Sequence, residues 1–100
     1  MALYSGRTAV ATPGTAVRLG QDITTAGPAL DTVAITAFTD NADVVVIGAS
    51  NVVASLSSRV GYPLAAGKTI VVGDKDSPIH PGDVWVDAIN TGEGVTWLAM

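Results

Sequence analysis

Cysteine is missing from this 100-residue chain, and charge is scarce: Lys and Arg number 5, Asp and Glu 9, together 14% of the residues. Without cysteine neither a disulfide framework nor a thiolate metal site can form, so packing alone must hold the core. That absence suits a reducing compartment. The charged share falls well below the roughly 25% of ordinary globular proteins. A small monomer has much surface to cover with polar groups, so a chain this poor in charge is expected to hide part of its outside against copies of itself or a partner.

The five basic residues, Arg7, Arg18, Arg59, Lys68 and Lys75, are scattered, and the net charge is −4. A nucleic-acid binder would cluster its cations, so the charge argues against that class. No segment reaches the roughly 18 apolar residues of a membrane span. The opening Met-Ala-Leu-Tyr-Ser-Gly-Arg lacks the basic-then-apolar layout of a secretory leader. The chain is expected to be cytosolic when made and to bind neither nucleic acid nor membrane.

What is present is punctuation and β-branched residues. Pro13-Gly14, Gly20, Gly27-Pro28, Gly48, Gly61, Gly67, Gly73, Pro81-Gly82 and Gly92 cut the chain into short pieces rich in Val and Thr. Such spacing predicts one all-β domain over residues 1–100, a sandwich or barrel of about eight short, mainly antiparallel strands, with the β-sandwich favoured and a jelly roll one form open to it. Strands are expected near 6–11, 15–19, 32–38, 43–48, 51–56, 68–73, 83–89 and 94–99, with residues 1–10 an extended arm or edge strand and a helix over Ser50–Arg59 the weaker alternative to the strand over 51–56.

Two hairpins are expected. The runs before and after Pro13-Gly14 form one, and the runs around Asn90-Thr91-Gly92-Glu93-Gly94 form the other. In the strand over 43–48, Val44 and Val46 point one way while Val45 and Ile47 point the other. A strand apolar on both faces is either central in the core or lies against a neighbouring subunit, which makes Val45 and Ile47 interface candidates.

Residues that could carry chemistry are few. The one histidine, His80, sits in Ser77-Pro78-Ile79-His80-Pro81-Gly82, a rigid turn composition rather than a catalytic triad. The close pairs Asp40 with Asp43 and Asp74 with Asp76 could hold calcium, but Asp and Asn favour turns for their own reasons and no EF-hand spacing is present. No glycine-rich loop has the ending of a phosphate cradle. No catalytic residue, cofactor or metal is therefore expected. Among the aromatics, Trp97 shares a face with Val95 and Ala99 and is expected in the core. Trp85, beside Asp87, is an interface anchor or a sugar-stacking platform, and a cross-strand neighbour of Trp97 in the hairpin; Tyr62 and Tyr4 are the other interface candidates.

The segments Asn41-Ala-Asp-Val-Val-Val-Ile-Gly-Ala-Ser-Asn-Val52, Gly61-Tyr-Pro-Leu-Ala-Ala-Gly-Lys-Thr-Ile70, Asp83-Val-Trp-Val-Asp-Ala-Ile-Asn90 and Gly94-Val-Thr-Trp-Leu98 follow in a familiar order. The chain resembles, over residues 32–98, the small β-rich virion proteins of tailed bacteriophages. The resemblance implies a non-enzymatic capsid decoration (cement) subunit, a homotrimer that sits on the capsid surface and clamps the major capsid protein. Its matched positions are scaffold positions, so it carries over no contact residue. The alternative is a carbohydrate- or receptor-binding module of a head or tail fibre, using Trp85 or Tyr62. An enzyme working through His80 ranks last.

Overall fold

Short β-branched runs, each bounded by glycine, proline or a polar turn, make short strands because a branched side chain packs well on a pleated surface. The structure, a computed structural model, describes residues 4–19, 32–73, 76, 79 and 83–99. These form β1 (Tyr4–Ala9), β2 (Val17–Arg18), β3 (Val33–Ala37), β4 (Val45–Gly48), β5 (Tyr62–Leu64), β6 (Thr69–Val72), β7 (Trp85–Ala88) and β8 (Gly94–Ala99). A 3-10 turn, Leu56–Ser58, lies between β4 and β5.

The strands make two four-stranded antiparallel sheets: sheet A in the order β1-β8-β3-β6 and sheet B in the order β2-β7-β4-β5. The pairing is nested, β1 with β8, β2 with β7, β3 with β6 and β4 with β5. Contacts of β3 with β8 and of β4 with β7 then roll this long double ribbon into two layers. This is the strand order of a jelly roll, and the expected all-β sandwich is the fold observed.

The two expected hairpins are not hairpins. β1 and β2 lie in different sheets, and so do β7 and β8. Each connection crosses from one layer to the other, so the alternation was legible while the partner was not. Trp85 and Trp97 are consequently not cross-strand neighbours. The strand expected over 51–56 is also absent. There the chain makes one isolated bridge, Val53 to Val60, and the 3-10 turn. The strand that takes its place as partner of β4 is β5, which carries Pro63 and sits at a sheet edge, where a missing N–H is tolerated.

Period-two alternation fills the space between the sheets. Sheet A contributes Val33, Ile35, Ala37, Val95, Trp97 and Ala99, and sheet B contributes Val45, Ile47, Leu64, Val86 and Ala88. Each fully buried Val, Leu or Ile stabilises the fold by about 1.5–3 kcal/mol relative to exposure. Trp97 is in this core, as expected. Its indole lies against the backbone of Gly6, its partner in the β1–β8 register, where a Cβ would come within 2.7 Å of the ring. The Trp97 Nε1 hydrogen finds no acceptor.

Val45 and Ile47 belong to the same core, buried by the chain's own opposite sheet. They are not surface residues, which corrects their candidacy as interface residues. The other face of β4 is covered too, by a second cluster of Val46, Val52 and Ala54, with Ala16, Val44 and Trp85 packed against it. Residues 49–61 leave β4, cover its outer side and return to β5 as a compact loop with close ends. Gly61 closes that loop with φ +122, and a side chain there would strike the Ile47 carbonyl. A two-sidedly apolar strand thus reflects intramolecular cover.

Candidate docking faces

Beneath the 49–61 loop lies the most buried charged residue among those described, Asp87, 1% exposed. An ion held away from water needs hydrogen bonds, and backbone amides provide them. Oδ1 accepts the N–H of Gly14 at 3.0 Å and of Ala88 at 2.9 Å, and Oδ2 accepts the N–H of Ala54 at 2.9 Å. Arg59 completes the arrangement by donating from Nε and Nη2 to the Ala54 carbonyl, at 3.1 and 3.0 Å. Asp87 is thus a structural post that fixes the turn after β1 and the loop after β4 to the centre of sheet B.

A second polar assembly closes one end of the sandwich. Buried Asn41 donates from Nδ2 to the Gly94 carbonyl at 3.1 Å and receives the Gly94 N–H on Oδ1 at 3.4 Å. Its side chain therefore imitates a strand partner. Nearby, Asn90 Nδ2 donates to Asp43 Oδ2 at 2.8 Å and to Glu93 Oε1 at 3.2 Å, while Glu93 Oε2 accepts the Ala42 N–H. Asp43, read from the sequence as half of a calcium pair or a turn residue, thus joins two crossing loops. Among the described residues no group of three or more potential metal ligands gathers.

With this interior described, two surfaces stand out among the described residues. The first is the outer face of sheet A, where the register sets side chains in rows across the strands. One row reads Arg7, Thr96, Thr36 and Thr69, and the next reads Ser5, Leu98, Ala34 and Val71. Thr36 and Thr69 share a hydrogen bond of 2.7 Å between their hydroxyls. Beyond the threonine row, the Arg7 guanidinium lies 4.1 Å from the centroid of the Phe38 ring. A shallow hollow of about 410 Å³ here is lined by Arg7, Thr36, Phe38, Thr39, Asp40 and Thr96. Leu98 and Val71, the latter 59% exposed, supply apolar surface on the same face.

The second surface belongs to the sheet B side. Pro13, Ser55, Leu56, Ala88 and Ile89 line an apolar groove of about 440 Å³. Leu56, at the tip of the 49–61 loop, is 80% exposed. The sequence signal for this residue was a lone leucine among serines, Ser55-Leu56-Ser57-Ser58, which a strand reading obscured.

The sequence candidates are distributed unevenly over these surfaces. Tyr62, in edge strand β5, is 55% exposed. Trp85 is half-buried on the outer side of sheet B, with the Arg18 guanidinium 5.1 Å from its ring centroid, so the ring is part of an intramolecular stack. Tyr4 opens β1 opposite Ala99, and the expectation for its side chain lies outside what is described. The readings of His80 and Asp74 fall outside the described residues as well. Comparison with protein-family models, with curated proteins and with solved structures gave no match.

Proposed function

We propose that this chain is a non-enzymatic structural subunit of a virion, a capsid decoration protein that self-assembles and binds the lattice of a major capsid protein. The observation that carries the reading is the gathering of exposed apolar side chains on two separate faces of a charge-poor sandwich. Val71 and Leu98 lie on one face, and Leu56 and Ile89 lie on the other. A subunit with two such faces can hold its own copies with one and a lattice with the other. Added buried area across a seam between capsid subunits opposes their separation, and several weak feet on one oligomer give avidity. The jelly-roll order recurs in viral capsid and lectin domains, a fold-level analogy in keeping with the reading. The resemblance of residues 32–98 to phage virion proteins supplies the class of partner and the expectation of a trimer.

Co-sedimentation with tailed-phage heads from the same source genome, together with the solution mass, tests this. Saturable binding to heads at a fixed number of copies per lattice position is expected. A strictly monomeric mass across micromolar concentrations, with no attachment to heads, overturns it. The second reading, a glycan- or receptor-binding module, now rests on Tyr62 rather than Trp85. The Tyr62 ring is exposed at a sheet edge, whereas the Trp85 ring is stacked with Arg18. Glycan binding lost in Tyr62→Ala without loss of fold would favour it.

A further inference from the structure

Arg7 and Asp40 line the same hollow on the outer face of sheet A, yet they make no ion pair with each other. Among the described residues neither has a hydrogen-bond or ion-pair partner; Arg7 is engaged only through the face of Phe38. Stacking of this kind holds the guanidinium plane in place and leaves its in-plane N–H donors unused. Around them the two rows of the face carry no other charge: Thr96, Thr36 and Thr69 in one, and Ser5, Leu98, Ala34 and Val71 in the other. A cation and an anion lining one hollow, with no ion pair between them and on an otherwise neutral surface, are self-complementary under a two-fold axis that lies in the interface between them. The axis sets Arg7 of one copy opposite Asp40 of the other and the reverse, since a two-fold contact uses the same patch on both subunits.

We propose that the outer face of sheet A is a self-association surface, occupied by the same face of a second copy, with Arg7 of each chain against Asp40 of the other. The occupant is a second copy because the patch matches itself in charge. The chain's net charge of −4 makes any two copies repel at long range, so a contact between them needs local compensation of this kind. Exposed ion pairs contribute little affinity and mainly set register, so the pairing is weak and salt-sensitive, with uncharged surface beside it. The proposal stands on the charge arrangement and not on the capsid reading; a two-fold pair through this face differs from the trimer that the resemblance implies.

Charge exchange tests it, read as solution mass by light scattering from micromolar to near-millimolar concentration at low salt. The wild-type chain is expected to reach twice the monomer mass and to fall back as salt is raised. Arg7→Asp alone and Asp40→Arg alone are expected to remain monomeric with unchanged circular dichroism. An equimolar mixture of these two variants is expected to regain the doubled mass, since each then meets an opposite charge. The double exchange R7D/D40R is expected to pair with itself and not with the wild type. Arg7→Gln, the mildest change, is expected to weaken pairing at least fivefold. A wild-type chain that stays monomeric, single variants that pair as the wild type does, or a mixture that fails to recover overturns the proposal. A threefold mass indifferent to Arg7 and Asp40 also overturns it, while leaving the decoration reading standing.

Discussion

Asp87 and Ala54 are 33 residues apart in the chain, and the Asp87 carboxylate accepts the Ala54 amide hydrogen at 2.9 Å. With the Gly14 and Ala88 amides on its other oxygen, this one buried side chain satisfies three backbone donors, the Gly14 one at the margin of solvent. Without it, the 49–61 loop would lose its hydrogen-bonded attachment to sheet B.

Asp87→Ala is therefore expected to destabilise the fold by about 3 kcal/mol, since it leaves three amide groups without acceptors where hydrogen bonds to a charged group are worth about 1.5–3 kcal/mol each before relaxation. Asp87→Asn keeps one acceptor oxygen but turns an N–H toward another N–H. It is expected to fall between wild type and Asp87→Ala. Urea titration followed by tryptophan fluorescence measures both, and a shift under about 0.5 kcal/mol in the alanine variant would contradict the role given to this carboxylate.

Gly6→Ala places a methyl group 2.7 Å from the Trp97 ring, in a core with no slack, and is expected to cost about 1–3 kcal/mol. Trp97→Phe removes the part of the indole that crowds Gly6 together with the unpaired Nε1 hydrogen. The double variant is expected to be less destabilised than the sum of the two single changes. A double-mutant cycle by thermal melting gives the coupling, which should exceed about 0.5 kcal/mol in the rescuing direction.

Asn41→Ala removes both hydrogen bonds by which a side chain stands in for a strand beside Gly94. The expected loss is about 1–2 kcal/mol, because the buried Gly94 N–H loses its acceptor while the Gly94 carbonyl keeps the Phe38 N–H at 3.0 Å. Amide exchange should report it locally, as faster exchange at Gly94 than at Trp97.

Leu56→Ser changes a side chain that is 80% exposed and is expected to leave stability within about 0.5 kcal/mol of wild type. On the proposed function, the same change weakens attachment to phage heads without altering the solution mass of the chain alone. Stability and attachment thus separate in one variant.

How much of this was legible in the sequence depends on how local each feature is. Strand alternation is a property of neighbouring residues, so Val95, Trp97 and Ala99 could be assigned to the core from their spacing. The pairing is nested, joining Tyr4 with Ala99 and Val17 with Val86, and nothing local distinguishes a hairpin from a crossing between sheets. The same limit hid the cover on β4. Two-sided apolarity in Val45, Val46 and Ile47 was visible, but a loop of the same chain covers the outer face. Asp87 left a faint signal, an acid inside an otherwise apolar strand, which reads as a solvent-facing position until Gly14 and Ala54 are seen to converge on it. Arg7 and Asp40 left none, because their nearness comes entirely from the order of strands in sheet A.

The nested register has a mechanical side. Tyr4 faces Ala99, so a tension applied between those two residues loads the β1–β8 ladder at its first rung and peels it open one hydrogen-bonded step at a time. A tension drawn along the strands, with β1 pulled against β8 in shear, would instead load all six rungs from Tyr4↔Ala99 to Ala9↔Gly94 together. The sandwich is thus yielding in one direction and stiff in the other, and the direction in which a neighbour pulls would decide how firmly it holds.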